Sequence, residues 1–552
     1  MTTIKKNRIS ALAFASIFTM TAGCKQKENE SVSVYKDPEY RPFGKYDEPV
    51  NIKGVREYLD HNDSRVPSST TPDNQKFIQI LRDELNINFE YRWKVSPAQY
   101  ENKLTSSILS KQYPDILKVT ASQYADFKST GLLADLTETY KYASPAVKKF
   151  LDRDSSVIES LKDEDGKIYA IPQYDDYKKE IPVRYYRKDW LNELGLSEPK
   201  NPLELTNVLT QFKTKKGATD GIALFKERKS SYFSFDYYRQ RFGYQPYTWI
   251  DDGTGNLQSA DVSQDAKDAL TYFSGLYQDG LRPKDYASRD ASQAESSVKS
   301  QKAGVVFGPW WQYEYPIGSL LQTQEWGCCP IPLAEGKKTT VSRQNISYYY
   351  VVLKQCKHPE ALRKRINRYI DADGKPGCNA SDGYVWSWCP TQFNDPNDVD
   401  ETFLKINAQL KMDPTASQPA PDTFTSHEKK LWNAYPNYLK WSEDHGSTKF
   451  EENNFANIIG RINQDGAWAA IRKTDEDKKV KFNEFYGIPG DQRSDFGSQI
   501  TTHTDVYFSE VITGKKNLNS TWDDYVKEWN NLHGKQISEE INAWYKSTKS
   551  GK

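Results

Sequence analysis

Between residues 77 and 117 the hydrophobic period switches repeatedly between that of a helix and that of a strand. Phe77, Ile78, Leu81 and Leu85 share one helical face, and Ile87, Phe89, Tyr91 and Trp93 then alternate with Asn88, Glu90 and Arg92. Tyr100, Leu104 and Ile108 return to helical spacing, and Tyr113-Pro114-Asp115-Ile116-Leu117 leads into a second short apolar strand. Such repetition predicts an α/β fold with parallel strand pairing and right-handed crossovers. Sheets of that kind place ligands at the carboxyl ends of their strands.

The same grammar continues further on. Asn201-Pro202-Leu203-Glu204 supplies an N-cap, a proline at the first helical position and a carboxylate three residues in, followed by Leu205, Val208, Leu209 and Phe212 at helical spacing. Trp522, Tyr525, Val526 and Trp529, then Ile537, Ile541, Trp544 and Tyr545, predict a helical C-terminal region whose aromatics are packing residues.

The N-terminus carries an export signal. Lys5, Lys6 and Arg8 precede an apolar run from Ile9 to Met20 that is too short for a roughly 30 Å hydrocarbon core. Thr21-Ala22-Gly23-Cys24 then resembles a lipobox, with Thr21 where leucine is commonest. Residues 1–23 are therefore expected to be a lipoprotein signal peptide and Cys24 the acylated N-terminus. The other reading is an ordinary secretory signal with a chance cysteine. Residues 25–45 lack apolar periodicity and read as a flexible tether able to reach about 70 Å. Lys plus Arg and Asp plus Glu both number 75, so no global field points to nucleic acid. Among Cys328, Cys329, Cys356, Cys378 and Cys389, an exported setting allows a local Cys378–Cys389 bridge and leaves at least one thiol over in a monomer.

Several stretches, in order along the chain, resemble the extracellular solute-binding proteins, family 1, of ABC importers, especially the long Firmicutes lipoproteins. They are Tyr113-Pro114-Asp115-Ile116, residues 131–137 (GLLADLT), residues 166–172 (GKIYAIP), residues 185–191 (YYRKDWL) with Leu194-Gly195-Leu196, residues 304–311 (GVVFGPWW), and Tyr525 to Tyr545. The resemblance implies a two-lobed, periplasmic-binding-protein-like (type II) clamshell, joined by hinge crossings and closing on ligand in an interlobe cleft. On that basis residues 46–172 with about 333–375 form the first lobe. Residues 173–332 with about 376–552 form the second, including the C-terminal helices. Ile171-Pro172 and Pro330-Ile331-Pro332 are the candidate hinges.

A sugar receptor needs flat aromatic faces flanked by carboxylate, amide and guanidinium groups. Trp310 and Trp311 follow an apolar strand and are the first candidates, with the alternative that at least one indole packs beneath the sheet. Trp386 and Trp388 would share a face if extended, and core packing competes with stacking there. Asp115 is a candidate hydroxyl acceptor or else a helix N-cap. Gln173, Tyr174 and Asp175 follow the first crossing, and Tyr185 and Arg187 lie in the next strand-to-helix segment. Some relatives carry a calcium loop after the Arg-Lys-Asp-Trp helix, but residues 213–221 (KTKKGATDG) offer a single carboxylate, so no metal is expected. No cofactor is expected either.

Competing classes are an exported glycosidase and a surface glycan-binding lipoprotein without a transporter. No G-x-S-x-G or H-E-x-x-H occurs, and Asp175 and Asp176 are adjacent rather than facing. The sequence therefore reads as a non-enzymatic, monomeric receptor for an oligosaccharide. It is held by its lipid on the outer face of the cell membrane and delivers ligand to ABC permease subunits.

Overall fold

The computed structural model describes residues 41–57, 66–163, 165–226, 233, 240–372, 377–378, 380–444, 448–487 and 489–550. The signal segment, Cys24 and the tether up to residue 40 lie outside the described residues. Strands are numbered in chain order: β1 (Val50–Glu57), β2 (Ile87–Val95), β3 (Ile116–Val119), β4 (Ile171–Asp175), β5 (Val183–Arg187), β6 (Gly221–Ile222) and β7 (Trp249–Asp251). They continue with β8 (Leu257–Ser259), β9 (Ala303–Gly308), β10 (Trp326–Pro330), β11 (Thr339–Ser342), β12 (Asn345–Val352) and β13 (Val480–Asn483). The chain divides into two compact units. Unit 1 holds the described residues up to Tyr174 together with Ile346–Pro396, and unit 2 holds Asp175–Asn345 with Asn397 onward.

Unit 1 is built on a five-stranded sheet in the order β2-β1-β3-β12-β4. β1 alternates buried Val50 and Ile52 with exposed Asn51, and pairs parallel with both β2 and β3. The helix Lys76–Leu85 buries Phe77, Ile78, Leu81 and Leu85, the face read from the sequence. The sheet is not wholly parallel, as the alternation had implied. β12 enters antiparallel to β3, with Tyr349 opposite Val119 and Val352 opposite Ile116, after the chain has been through unit 2. The helix Ala361–Ala372 follows, adding Leu362, Ile366 and Tyr369 to the unit 1 core.

Unit 2 has a four-stranded sheet in the order β10-β5-β9-β6, with β5 antiparallel to β9 and β10 and β6 parallel to β9. The helix Pro202–Lys216 starts as its sequence dictates: Asn201 accepts from Glu204 N at 3.0 Å, and Gly217 closes the far end at φ 71°. Its Phe212 reaches β9 at Gly304, where a Cβ would fall 2.6 Å from the Phe212 ring and 2.7 Å from Trp190. Trp522, Tyr525, Trp529, Ile537, Ile541 and Tyr545 of the C-terminal helices are buried in the same core. Two-stranded pairs, β7 with β8 and β11 with β13, complete the sheets.

Three local expectations are corrected. All five described cysteines are free, so Cys378 and Cys389 are not bridged. Trp386–Trp388 is a short 3-10 turn rather than an extended segment. Pro330-Ile331-Pro332 lies within unit 2, where Pro330 ends β10 opposite Val183.

Candidate functional site

At the carboxyl ends of β1 and β3, where an α/β sheet offers its ligand position, unit 1 contains a cavity of about 240 Å³. Roughly 300–1,000 Å³ is usual for drug-sized ligands, so this cavity suits a single ring-sized group. Its walls include the aromatic side chains Phe89, Tyr100, Tyr348 and Tyr350, and its polar rim includes Thr120, Gln123, Ser347 and Gln392. Gly54 makes the floor possible: a Cβ there would meet the Phe89 ring at 2.4 Å.

Its charge is lopsided. Arg56, Lys118 and Arg365 line the cavity, against the single carboxylate of Glu57. Arg56, at the end of β1, is fixed by carbonyl oxygens: Nε donates to Glu57 O at 2.8 Å, and Nη2 and Nη1 donate to Ser387 O and Cys389 O. Nη1 also donates to the Tyr91 hydroxyl at 3.2 Å, which itself donates to Trp388 O at 3.1 Å. Burial pushes the Tyr91 hydroxyl up to about 12, against the pull of Arg56.

Arg365 is 1% exposed and lies 4.4 Å from the centre of the Phe89 ring. Its Nη2 donates to the Thr391 hydroxyl, while its buried Nε and Nη1 find no hydrogen-bond acceptor among the described residues. Burial lowers this guanidinium to about 10. Lys118 belongs to β3, where Ile116, Leu117 and Val119 point into protein and it alone is exposed. Its Nζ stands 4.5 Å over the Tyr348 ring. The surrounding walls lower its pKa, Glu57 opposes that and Arg56 adds to it.

The residues expected from sequence are mostly placed elsewhere. Asp115 accepts from Lys53 N at 2.7 Å, stapling β1 to the start of β3, and it caps no helix, since Thr120 caps the one that follows. Burial raises its carboxyl despite that hydrogen bond. Gln173 is buried, accepting from Asn394 N and donating to Tyr174 O. Tyr174 donates its hydroxyl to Phe150 O at 2.5 Å. Asp175 pairs with Lys179 at 2.7 Å, and burial raises its carboxyl. Tyr185 is fully buried, donating to Pro309 O and packing edge-on to Tyr313. Arg187 is clasped by both carboxylate oxygens of Asp189 over the Trp190 ring.

Trp310 packs edge-on to Trp468, with the Arg461 guanidinium 4.6 Å from its ring centre, while Trp311 is half-buried on the same short turn. Trp388 is 6% exposed, and the side chain of Trp386 lies outside the described residues. The Trp386–Trp388 turn still bears on the cavity through its backbone: Ser387 O accepts from Arg56, and Trp388 O accepts from the Tyr91 hydroxyl that Arg56 also meets.

Arg56, Lys118 and Arg365 escaped sequence reading. Lys118 left one trace, a lone cation in an apolar strand next to the segment already singled out. Arg365 sits in the charged run of residues 363–368 (RKRINR), in which Arg363, Lys364, Arg365, Asn367 and Arg368 are nevertheless all buried.

Among the described residues no helix is long and apolar enough to cross a membrane. The family model for bacterial extracellular solute-binding proteins matches residues 68–375. The fructooligosaccharide ABC transporter substrate-binding protein FusA of Streptococcus pneumoniae is 23% identical over 61% of this chain and 63% of its own length. The polygalacturonan/rhamnogalacturonan-binding protein YtcQ of Bacillus subtilis is 24% identical over 43% of this chain and 47% of its own length. The chain thus spans less than two thirds of either relative. In fold, the structure of the alginate-binding protein AlgQ2 without calcium ion superposes with a TM-score of 0.60 at 15% identity, covering 92% of this chain and 100% of that one. The fold is that of the type II periplasmic-binding-protein class.

Proposed function

Because the chain belongs to the bacterial extracellular solute-binding protein family, we propose that it is a receptor that captures an oligosaccharide or related sugar and delivers it to the permease of an ABC importer. The observation that carries the reading is the ring-sized cavity at the strand ends of unit 1, walled by aromatic faces and rimmed by amide and hydroxyl groups. Apolar C–H faces of a sugar match the rings, and its hydroxyls match the rim. The similarity to FusA, a fructooligosaccharide-binding protein, and to YtcQ, a polygalacturonan/rhamnogalacturonan-binding protein, supports the same class.

In this reading the chain is a binder and not an enzyme, a monomer held on the outer face of the membrane by lipid on Cys24. Stable anchoring takes more than one acyl chain. Trp311, half-buried on the turn that follows β9, is the proposed stacking surface in unit 2.

Titration calorimetry of the purified protein against a glycan panel tests the reading. Binding of a saccharide without turnover is expected, and Trp311→Ala should weaken it by about 1 kcal/mol. Failure of every saccharide would overturn the sugar assignment, and release of cleaved products would replace it with an enzyme. Cys24→Ser should move the protein from the membrane fraction to the medium.

A further inference from the structure

Unpaired positive charge in the unit 1 cavity points beyond a neutral sugar. Hydroxyl groups are satisfied as well by carboxylates as by cations, so a receptor for an uncharged saccharide has no reason to gather one sign of charge. Here three cations line one small cavity and face one carboxylate among its lining residues. Keeping a guanidinium away from water without an anion is costly, and such groups are ordinarily paired. Several arginines outside the cavity follow that rule: Arg153 meets Asp395 at 2.7 Å in unit 1, and Arg187 meets Asp189 at 2.6 Å and Arg289 meets Asp220 at 2.8 Å in unit 2.

In the cavity, by contrast, Arg56 is held by three backbone carbonyls and a tyrosine hydroxyl, and none of these neutralises it. Arg365 has two buried nitrogens with no acceptor among the described residues. Lys118 holds its ammonium over the Tyr348 ring, exposed and without a carboxylate in contact among the described residues. The helix N-terminus beside the cavity is already closed. Thr120 Oγ1 accepts from Gln123 N, and Gln123 Oε1 accepts from Thr120 N, so the side chains rather than a bare helix end supply the positive potential.

We propose that this cavity is a carboxylate subsite, with Lys118 as the contact cation and Arg56 and Arg365 behind it, and that the saccharide captured is therefore acidic, carrying a uronic acid residue. The inference rests on the sugar-receptor reading and sharpens it. Esterifying the carboxylate removes its charge while leaving the ring and most hydroxyls in place, which isolates the interaction in question.

Calorimetry with uronic acid trimers (galacturonate and guluronate), their methyl esters, neutral trimers and inorganic phosphate makes the test. An acidic trimer should bind, its ester about tenfold or more weakly, and Lys118→Met should lower affinity for the acid by about tenfold. Raising salt should weaken only the acidic ligand. Because Lys118 is exposed, the variant should retain the parent circular dichroism and melting profile. Equal binding of acid and ester, a silent Lys118→Met, or neutral trimers binding where acidic ones do not would overturn the inference and leave the sugar reading standing. Displacement by phosphate at equal concentration would also overturn it, in favour of a general anion site. Failure of every saccharide would instead remove the parent reading.

Discussion

Two buried arginines, one in each unit, lie over aromatic rings at nearly equal distance: Arg187 is 4.2 Å from the Trp190 ring centre and Arg365 is 4.4 Å from that of Phe89. They differ in counter-charge. Arg187 is gripped through two hydrogen bonds by Asp189, whereas Arg365 meets a threonine hydroxyl and keeps two nitrogens without acceptors among the described residues. An arginine whose charge is consumed by its own fold is a structural part. One whose charge is left open in a cavity lowers stability and gains nothing within the fold, which is the signature of a group kept for something the chain binds.

Substitutions that remove each charge test that contrast most directly. Arg187→Met leaves Asp189 without its partner and should cost about 2–3 kcal/mol in chemical denaturation followed by tryptophan fluorescence. A smaller effect is expected from Asp265→Asn in unit 2, where one carboxylate serves Lys337 at 2.6 Å and Lys481 at 2.7 Å: about 1 kcal/mol. Burial raises the Asp265 carboxyl, but the two ammonium groups outweigh it and hold its folded pKa below the ordinary value. Its contribution is therefore full above about pH 4 and is lost as pH falls through the lower folded value, so the gap between parent and variant should close in acid. Least affected should be Arg365→Met, which strands no carboxylate and removes buried unsatisfied nitrogens. A change under about 1 kcal/mol, or a gain, is expected. If Arg365→Met destabilised as much as Arg187→Met, the two arginines would be equivalent and the contrast would fail.

Elements that bury one face were legible in the sequence because local spacing alone determines them. Phe77 to Leu85, the alternation from Ile87 to Trp93 and the Asn201 cap all form as the pattern dictates. The site was much less legible, since its cations and rim residues come from five separate stretches: the ends of β1 and β3, the beginning of β12, the helix Ala361–Ala372, and residues 389–392. Aromatic and acidic residue type drew attention to Tyr185 and Asp115, yet the first satisfies a carbonyl inside unit 2 and the second staples two strands. Residue type records which interactions a side chain is able to make. Which of them remain unmade is a property of the folded neighbourhood, and Lys118 and Arg365 are informative for that reason.

The position of β12 bears on the order in which this molecule can be assembled. In its sheet β12 lies between β3 and β4, although β1 to β4 are complete by Asp175 and β12 begins only at Asn345. A chain emerging from its N-terminus therefore carries a sheet with a gap in the middle, and the gap closes only after the main sheet of unit 2 has also emerged. Such long-range pairing forms slowly. The first unit to be synthesised is consequently among the last to be finished, and the open edges of β3 and β4 have to be kept from other chains until β12 arrives.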